Sequence, residues 1–375
     1  MSRLLIVLCG LLLSTPSLAQ QVVVLDADLE PTTTSLDKVS LSDDGLVRIQ
    51  IKPGPITPLN DKQYVATLVD GQVFIGTLLG VEQGGEALRL AFGYQQHSVV
   101  LPLDELLSFT RVGHRLAGDE NDDTLLLATG ETLVGFVDSI GEKNIGFVIG
   151  DADEPVPVPM QRVQGFSIAN KPVPVLSEQG TARVLLRDGS LVLLREAALK
   201  QATENATARF EGTLAIRDKT QAIKLPILEV IQVEPLSAKH AMRRLTDLPM
   251  SLVDGGKVFS VDTPPRVTDD GSIKMHAPVT VGFELPEGAR RLALNVAMDL
   301  DESIPESRRA MAGCELVVYE GDKVVGKHTL TPDGPAKRLN VPLTGGDLRI
   351  ALEPGVNGPV LDRVLITRAE LLVSE

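Results

Sequence analysis

Three glycines at constant spacing restrict what this chain can fold into more than any other feature. Gly71, Gly130 and Gly189 stand 59 residues apart, and each hinges two apolar runs: LVDGQVFIGTL, LLATGETLVGFV and LLRDGSLVLLR. A second anchor trails each turn, LPLDEL at 101–106, VPMQRV at 158–163 and LPILEV at 225–230. Its pattern is apolar-Pro-apolar, two mostly polar residues, then apolar, and a short apolar strand follows. Two anchors in the same order three times define a structural repeat.

The local chemistry of each copy is that of β-structure. YVATLVD and QVFIGTLL are rich in β-branched and aromatic residues, and a turn glycine accepting positive φ suits a two-residue hairpin between them. Gly76 and Gly135 fall five residues after the first two turns, where a missing side chain lets a strand bend; Leu194 takes that place in the third copy. Proline donates nothing to a ladder, so each Pro anchor belongs at a strand end or edge. Five short strands within about 55 residues resemble the SH3-like or Sm-like small barrel, and a lone barrel of that size is marginally stable. The expected fold class is therefore all-β: three tandem five-stranded small barrels packed on one another, followed by a jelly-roll sandwich.

The anchors place barrel 1 at 62–115, barrel 2 at 121–170 and barrel 3 at 178–236, with a linker at 237–250 and a separate segment at 251–375. AKHAMRRLTDLP, spanning 238–249, reads as a short basic helical turn within a solvated linker. Residues 20–61 read as an extended arm or as a degenerate extra unit, because VSLSDDGLVRIQI also has a strand-turn-strand pattern.

At the N-terminus, Arg3 precedes an apolar run from Leu4 to Leu13, and Ser17-Leu18-Ala19 ends on small residues. This is the layout of a secretory signal peptide over 1–19, cleaved after Ala19. The expectation is an exported chain, periplasmic or secreted, without stable membrane insertion after cleavage. Of the two cysteines, Cys9 and Cys314, only Cys314 would remain, so no intrachain disulfide is expected. The formal net charge of −14 argues against nucleic-acid partners and anionic lipid surfaces.

Segment 251–375 changes character, with longer strand-like runs and none of the repeat anchors. LVVYEGDKVVGKHTL has an apolar strand, an acidic-Gly turn and a second strand, and the chain closes on Asp362 and Ala369-Glu370-Leu371. These residues resemble the NPCBM type of putative carbohydrate-binding module, a galactose-binding-like jelly roll. The chain departs from the family at Ile366, where a Trp often stands, and at Arg368, where an acidic residue does. The resemblance implies a glycan surface as partner, with Tyr319 as a stacking platform and Asn357 and Asp362 near the sugar hydroxyls. It also implies a structural Ca²⁺ in the loop holding Asp299 and Asp301. The aromatic residues Phe259, Phe283 and Tyr319 all sit in strand patterns that would bury them.

Nothing in the sequence assembles a catalytic motif. His97, His114, His240, His276 and His328 are far apart, and no nucleophile elbow, phosphate loop or dinucleotide fingerprint occurs. Three acidic clusters, 119–123, 151–154 and 299–302, read first as solvated loops. The sequence therefore points to a non-catalytic binding or scaffold protein whose partner is an extracytoplasmic protein or glycan, with no resident cofactor. Carbohydrate binding through the C-terminal module and a hydrolase with its site at a domain junction remain as alternatives.

Overall fold

The computed structural model describes residues 21–374 except 42, 44, 52–58, 94–96, 115, 117–120, 151, 153, 170–180, 203–206, 217–218, 237–239, 269–270 and 302. The expected signal peptide, the linker 170–180 and Asp119 and Glu120 of the first acidic cluster lie outside the described residues.

After an arm of three strands, β1 (Gln21–Asp26), β2 (Pro31–Ser35) and β3 (Leu46–Ile51), the chain makes the same five-stranded unit three times. Barrel 1 contains β4 (Tyr64–Leu68), β5 (Val73–Glu82), β6 (Ala87–Phe92), β7 (His97–Pro102) and β8 (Leu106–Arg111). Its first four strands form an antiparallel meander, and β8 returns to pair with β4. Barrel 2 repeats this order with β9 (Asp123–Leu127), β10 (Thr132–Ile140), β11 (Asn144–Ile149), β12 (Val156–Pro159) and β13 (Val163–Ser167). Barrel 3 does so with β14 (Thr181–Leu186), β15 (Leu191–Lys200), β16 (Arg209–Ile216), β17 (Lys219–Pro226) and β18 (Val230–Leu236).

The two sequence anchors recur together because they touch. Gly71, Gly130 and Gly189 have φ of 81°, 85° and 90°, and their N–H groups donate to the carbonyls of Leu68, Leu127 and Leu186. Those three leucines donate in turn to Gln72, Glu131 and Ser190. Three residues thus lie in each loop, with the glycine at the left-handed position, where a two-residue turn was expected. Each Pro anchor is a strand end followed by a single 3-10 turn, at Leu103–Glu105, Met160–Arg162 and Ile227–Glu229. The carbonyls of Glu105, Arg162 and Glu229 accept the loop N–H groups of Val69, Ala128 and Arg187 at 2.9, 2.7 and 2.8 Å.

The bend glycines also act as expected. A Cβ on Gly76 would lie 1.8 Å from the Ala91 carbonyl oxygen, and one on Gly135 would lie 1.9 Å from that of Val148. All three second strands carry a register shift just beyond this position, at Leu78/Gly80, Val137/Ser139 and Arg195/Ala198, and in barrel 3, with Leu194 in place of the glycine, Glu196 there takes a φ of 52°.

The three five-stranded units are not independent. The last strands β8 and β13 pair edge to edge, with Phe109 opposite Phe166. The equivalent strand of barrel 3, β18, pairs with β3 of the arm, with Val233 opposite Ile49. The arm thereby covers an edge that would otherwise be open to another chain. One hydrogen-bonded network of eighteen strands and one apolar core run through arm and barrels.

The C-terminal region is a two-sheet sandwich. One sheet has the order β23 (Arg266–Val267), β24 (Ile273–His276), β31 (Arg363–Val373), β26 (Ala289–Met298) and β29 (Lys337–Pro342), with β19 (Ala241–Arg244) alongside β31. The other has β20 (Met250–Gly255), β25 (Val279–Phe283), β30 (Leu348–Pro354), β27 (Cys314–Glu320) and β28 (Lys323–Leu330). Alternating inward residues such as Val281, Leu292, Leu316, Ile350 and Leu371 form its core. Ala241–Arg244, expected as a helical turn in the linker, is a strand of this sandwich because it finds an open edge on β31.

The arm also joins the barrels to the sandwich. Leu29, at the turn between β1 and β2, is fully buried with Leu25, Val47, Ala293 and Leu372. Arg338 donates to the Leu29 carbonyl at 3.0 Å, Asn340 donates to the Asp28 carbonyl, and Arg291 pairs with Asp28.

Candidate binding site

At one end of the sandwich, the loops 284–288 and 343–347 enclose a cleft of about 530 Å³. The second loop is held from below by Glu320, the last residue of β27. Its carboxylate accepts the N–H groups of Thr344 and Gly345 at 2.6 and 2.8 Å and the Thr344 hydroxyl at 2.9 Å. Burial pushes the Glu320 carboxyl up, but these hydrogen bonds and Lys323 outweigh it, so its titration moves down and it stays ionised. The first loop is closed by the C-terminal strand: Ser374 N–H donates to the Gly288 carbonyl at 2.9 Å. A Cβ on Gly288, whose φ is +80°, would meet the Ser374 carbonyl oxygen at 2.0 Å.

The cleft is acidic. Its lining holds three carboxylates, Glu284, Glu287 and Asp347, and one cation, Arg290, whose Nε donates to the Ser374 hydroxyl at 3.1 Å. Such a wall accepts hydrogen bonds from hydroxyl and amino groups and disfavours anionic ligands.

The residues singled out from sequence divide between the two ends of the sandwich. Tyr319 is half-buried on the outer face of the β27 sheet, one residue before Glu320. The Arg349 guanidinium lies 5.5 Å over its ring and is tied to Gly321 and Asp322, so that face is occupied by a cation. The other four lie at the opposite end. Asn357 donates to the Met311 carbonyl at 3.0 Å and clips two loops together. Asp362 is fully buried, against its expected contact with sugar hydroxyls. Its two oxygens accept the N–H groups of Gly313 and Gly355 at 2.8 and 3.0 Å, which makes it a structural bracket.

Asp299 pairs with Lys274 at 3.1 Å, and Asp301 accepts the Ser303 N–H at 2.8 Å. Among the described residues no group of three or more His, Cys, Asp or Glu side chains is placed to hold a metal ion. The expected Ca²⁺ loop therefore has no ligand cluster there, and Glu302 lies outside the described residues.

Phe259 also departs from expectation. It is 74% exposed at the tip of a hairpin between β21 (Lys257–Val258) and β22 (Val261–Asp262). Phe259 and Ser260 have φ of 47° and 68°, as the tight turn requires. Phe283 is buried as its pattern implied.

A His–carboxylate approach occurs elsewhere, between barrels 1 and 3. His97 Nε2 stands 3.9 Å from Glu229 Oε2, and burial lowers the imidazole pKa against the opposing pull of Asp188. Sequence reading missed Glu320, Arg290 and Asp347. The Thr344-Gly345-Gly346-Asp347 stretch marks a loop, but nothing local reveals which carboxylate anchors it.

Fold and site together define an all-β chain with a cleft at one end of its terminal sandwich. The solved structures it is similar to include carbohydrate-binding modules and a family two carbohydrate esterase from Cellvibrio japonicus. They include the CBM51-2 and INT domains of Clostridium perfringens ZmpB, at 15% identity and a TM-score of 0.28, covering 48% of this chain and 40% of that one. The CBM51 of C. perfringens GH95 in complex with methyl-galactose is 18% identical with a TM-score of 0.26, covering 35% of this chain and 99% of that one. The tandem CBM51 modules of Sp3GH98, a family 98 glycoside hydrolase from Streptococcus pneumoniae SP3-BS71, are 11% identical with a TM-score of 0.27, covering 94% and 88%. The chain spans less than half the length of the ZmpB structures of which CBM51-2 is part. At these TM-scores the likeness carries no functional argument. No family model and no curated protein matches the chain. No helix among the described residues is long and apolar enough to cross a membrane.

Proposed function

We propose that the chain is an exported, non-catalytic binding protein that holds a neutral glycan in the cleft between the 284–288 and 343–347 loops. The observation that carries this reading is the locked, carboxylate-walled cleft itself. Its volume of about 530 Å³ lies within the range of small-molecule sites, roughly 300–1,000 Å³. Its acceptors match the hydroxyl groups of a sugar, and its charge is wrong for phosphate, sulfate or uronate groups. The Glu320 bracket lowers the ordering cost of binding because the loop is fixed beforehand.

Calorimetric titration of the full chain with a panel of neutral oligosaccharides tests the reading. Saturable binding is expected, weakened at least tenfold by Asp347→Ala or Glu287→Ala with the melting temperature unchanged. If no neutral glycan binds, or binding ignores both substitutions, the cleft is not a glycan site. N-terminal sequencing of the exported protein should begin at Gln20.

A further inference from the structure

Barrels 1 and 3 meet about a local two-fold axis. Val73 of β5 pairs with Leu191 of β15, and each stands two residues past its turn glycine. The flanking hydrogen bonds are reciprocal: Ile75 N–H donates to Ser190 Oγ, and Leu193 N–H donates to Gln72 Oε1, both at 2.9 Å. Gln72 and Ser190 are equivalent, one residue past their glycines, and Ile75 and Leu193 are equivalent, four past theirs. The same patch therefore serves on both partners, as in an isologous interface. Ile75 and Leu193 are buried to 8% and 6% exposure. Phe92 and Leu214, opposite Gly76 and Leu194 on the next strand, are left 1% and 2% exposed.

Barrel 2 presents the same patch uncovered. Val134, the counterpart of Ile75 and Leu193, is 49% exposed, and Ile149, the counterpart of Phe92 and Leu214, is 42% exposed. Beside them Phe136 is 50% exposed, where barrel 1 has Thr77 and barrel 3 has Arg195. An apolar patch of this kind on a strand marks an interaction surface.

We propose that β10 of one copy pairs with β10 of a second copy about a two-fold axis at Thr132, repeating between chains the contact that β5 and β15 make within one. The occupant is a second copy because the patch is self-complementary, as its two siblings in this chain demonstrate. Glu131 takes the acceptor place of Gln72 and Ser190, receiving the Val134 N–H of the partner copy. Phe136 extends the apolar contact. The other docking edge of barrel 2, β13, is already joined to β8, so association leaves the internal contacts intact. It also closes after one step, because the patch of each copy is then covered.

Sedimentation velocity of the full chain, up to about 100 µM to reach weak affinities, should show the mass doubling with concentration. Val134→Glu, at an exposed position, should melt like the wild type and stay monomeric throughout. Directly opposed antiparallel residues lie about 4.5–5.5 Å apart, within disulfide reach, so Thr132→Cys should give a covalent dimer on mild oxidation while buried Cys314 stays silent. A wild type that remains monomeric at the highest concentration overturns the proposal, as does a dimer that survives Val134→Glu or one in which Thr132→Cys fails to cross-link.

Discussion

The guanidinium of Arg48 lies 2.5 Å from the carboxylate of Glu370, a residue 322 positions later in the chain. The same Arg48 also holds Glu234 of β18 at 2.5 Å, so one cation joins arm, third barrel and sandwich. Burial works against its charge, but the two carboxylates prevail and raise its pKa. Removing the cation leaves part-buried Glu370 without this partner and buried Glu234 with only Arg183, at 3.7 Å, a loss of about 3 kcal/mol. Arg48→Met should lower the urea unfolding free energy by that much. A loss below about 1 kcal/mol would mean that the network adds nothing to holding the domains together.

Two strand glycines with different surroundings should respond in opposite ways. Gly76→Ala forces a methyl onto the Ala91 carbonyl, and relief of that overlap should cost about 3 kcal/mol or more. Gly80, four residues along the same strand, has nothing within 4 Å of its would-be Cβ, so Gly80→Ala should be neutral or stabilise by up to about 1 kcal/mol. Equal thermal shifts for the two variants would contradict the barrel-closing role of Gly76.

Asp362 is expected to be a folding residue and not a binding one. Asp362→Ala leaves the N–H groups of Gly313 and Gly355 buried without acceptors, and the cost should be about 3 kcal/mol. Any glycan affinity measured well below the lowered melting temperature should be unchanged. A large affinity loss in a variant that melts like the wild type would reverse this assignment.

The Cys314 thiol should be chemically silent. Burial, and after it the negative charge of Asp362, pushes its pKa up to about 12, so almost no thiolate exists at pH 8. A thiol reagent at that pH should react with Cys314 only after denaturant is added. Rapid labelling of the native chain would show that the sandwich opens locally.

His97 predicts a slope of stability with pH. Its ordinary value of 6.5 holds in the unfolded chain, and burial lowers the folded one despite the facing Asp188 and Glu229 carboxyls. The unfolded chain then takes the proton first as pH falls. The stabilisation is complete above about 6.5, declines as pH drops through the folded value, and is level below it. Urea midpoints at pH 7.5 and 5.5 should differ more for the wild type than for His97→Gln. Identical differences would remove His97 from the account.

Much of the architecture was legible along the chain because it is made by short-range chemistry. Turn glycines need only their own φ, a proline ends its own strand, and alternation fixes which face of a strand is buried. That is why the recurring five-stranded unit could be read from Gly71, Gly130, Gly189 and the Pro anchors. Tyr319, Asn357, Asp362, Asp299 and Asp301 follow from the family resemblance, and the structure scatters them over two ends of the sandwich. A carboxylate in a turn-like sequence looks the same whether it faces a ligand or, like Asp362, two backbone amides.

By itself, then, the sequence determined the all-β class, the recurrence of the five-stranded unit and the places of its turn glycines. Those follow from backbone sterics and strand periodicity, which act over a few residues. Only the tertiary structure decided that the arm covers the open edge of β18, that Arg48 meets Glu370, and that Glu320 fixes the cleft loop. It also decided that barrels 1 and 3 bury a patch which barrel 2 leaves bare. Such pairings depend on which surfaces meet when the chain closes, and no local pattern of residues encodes that meeting.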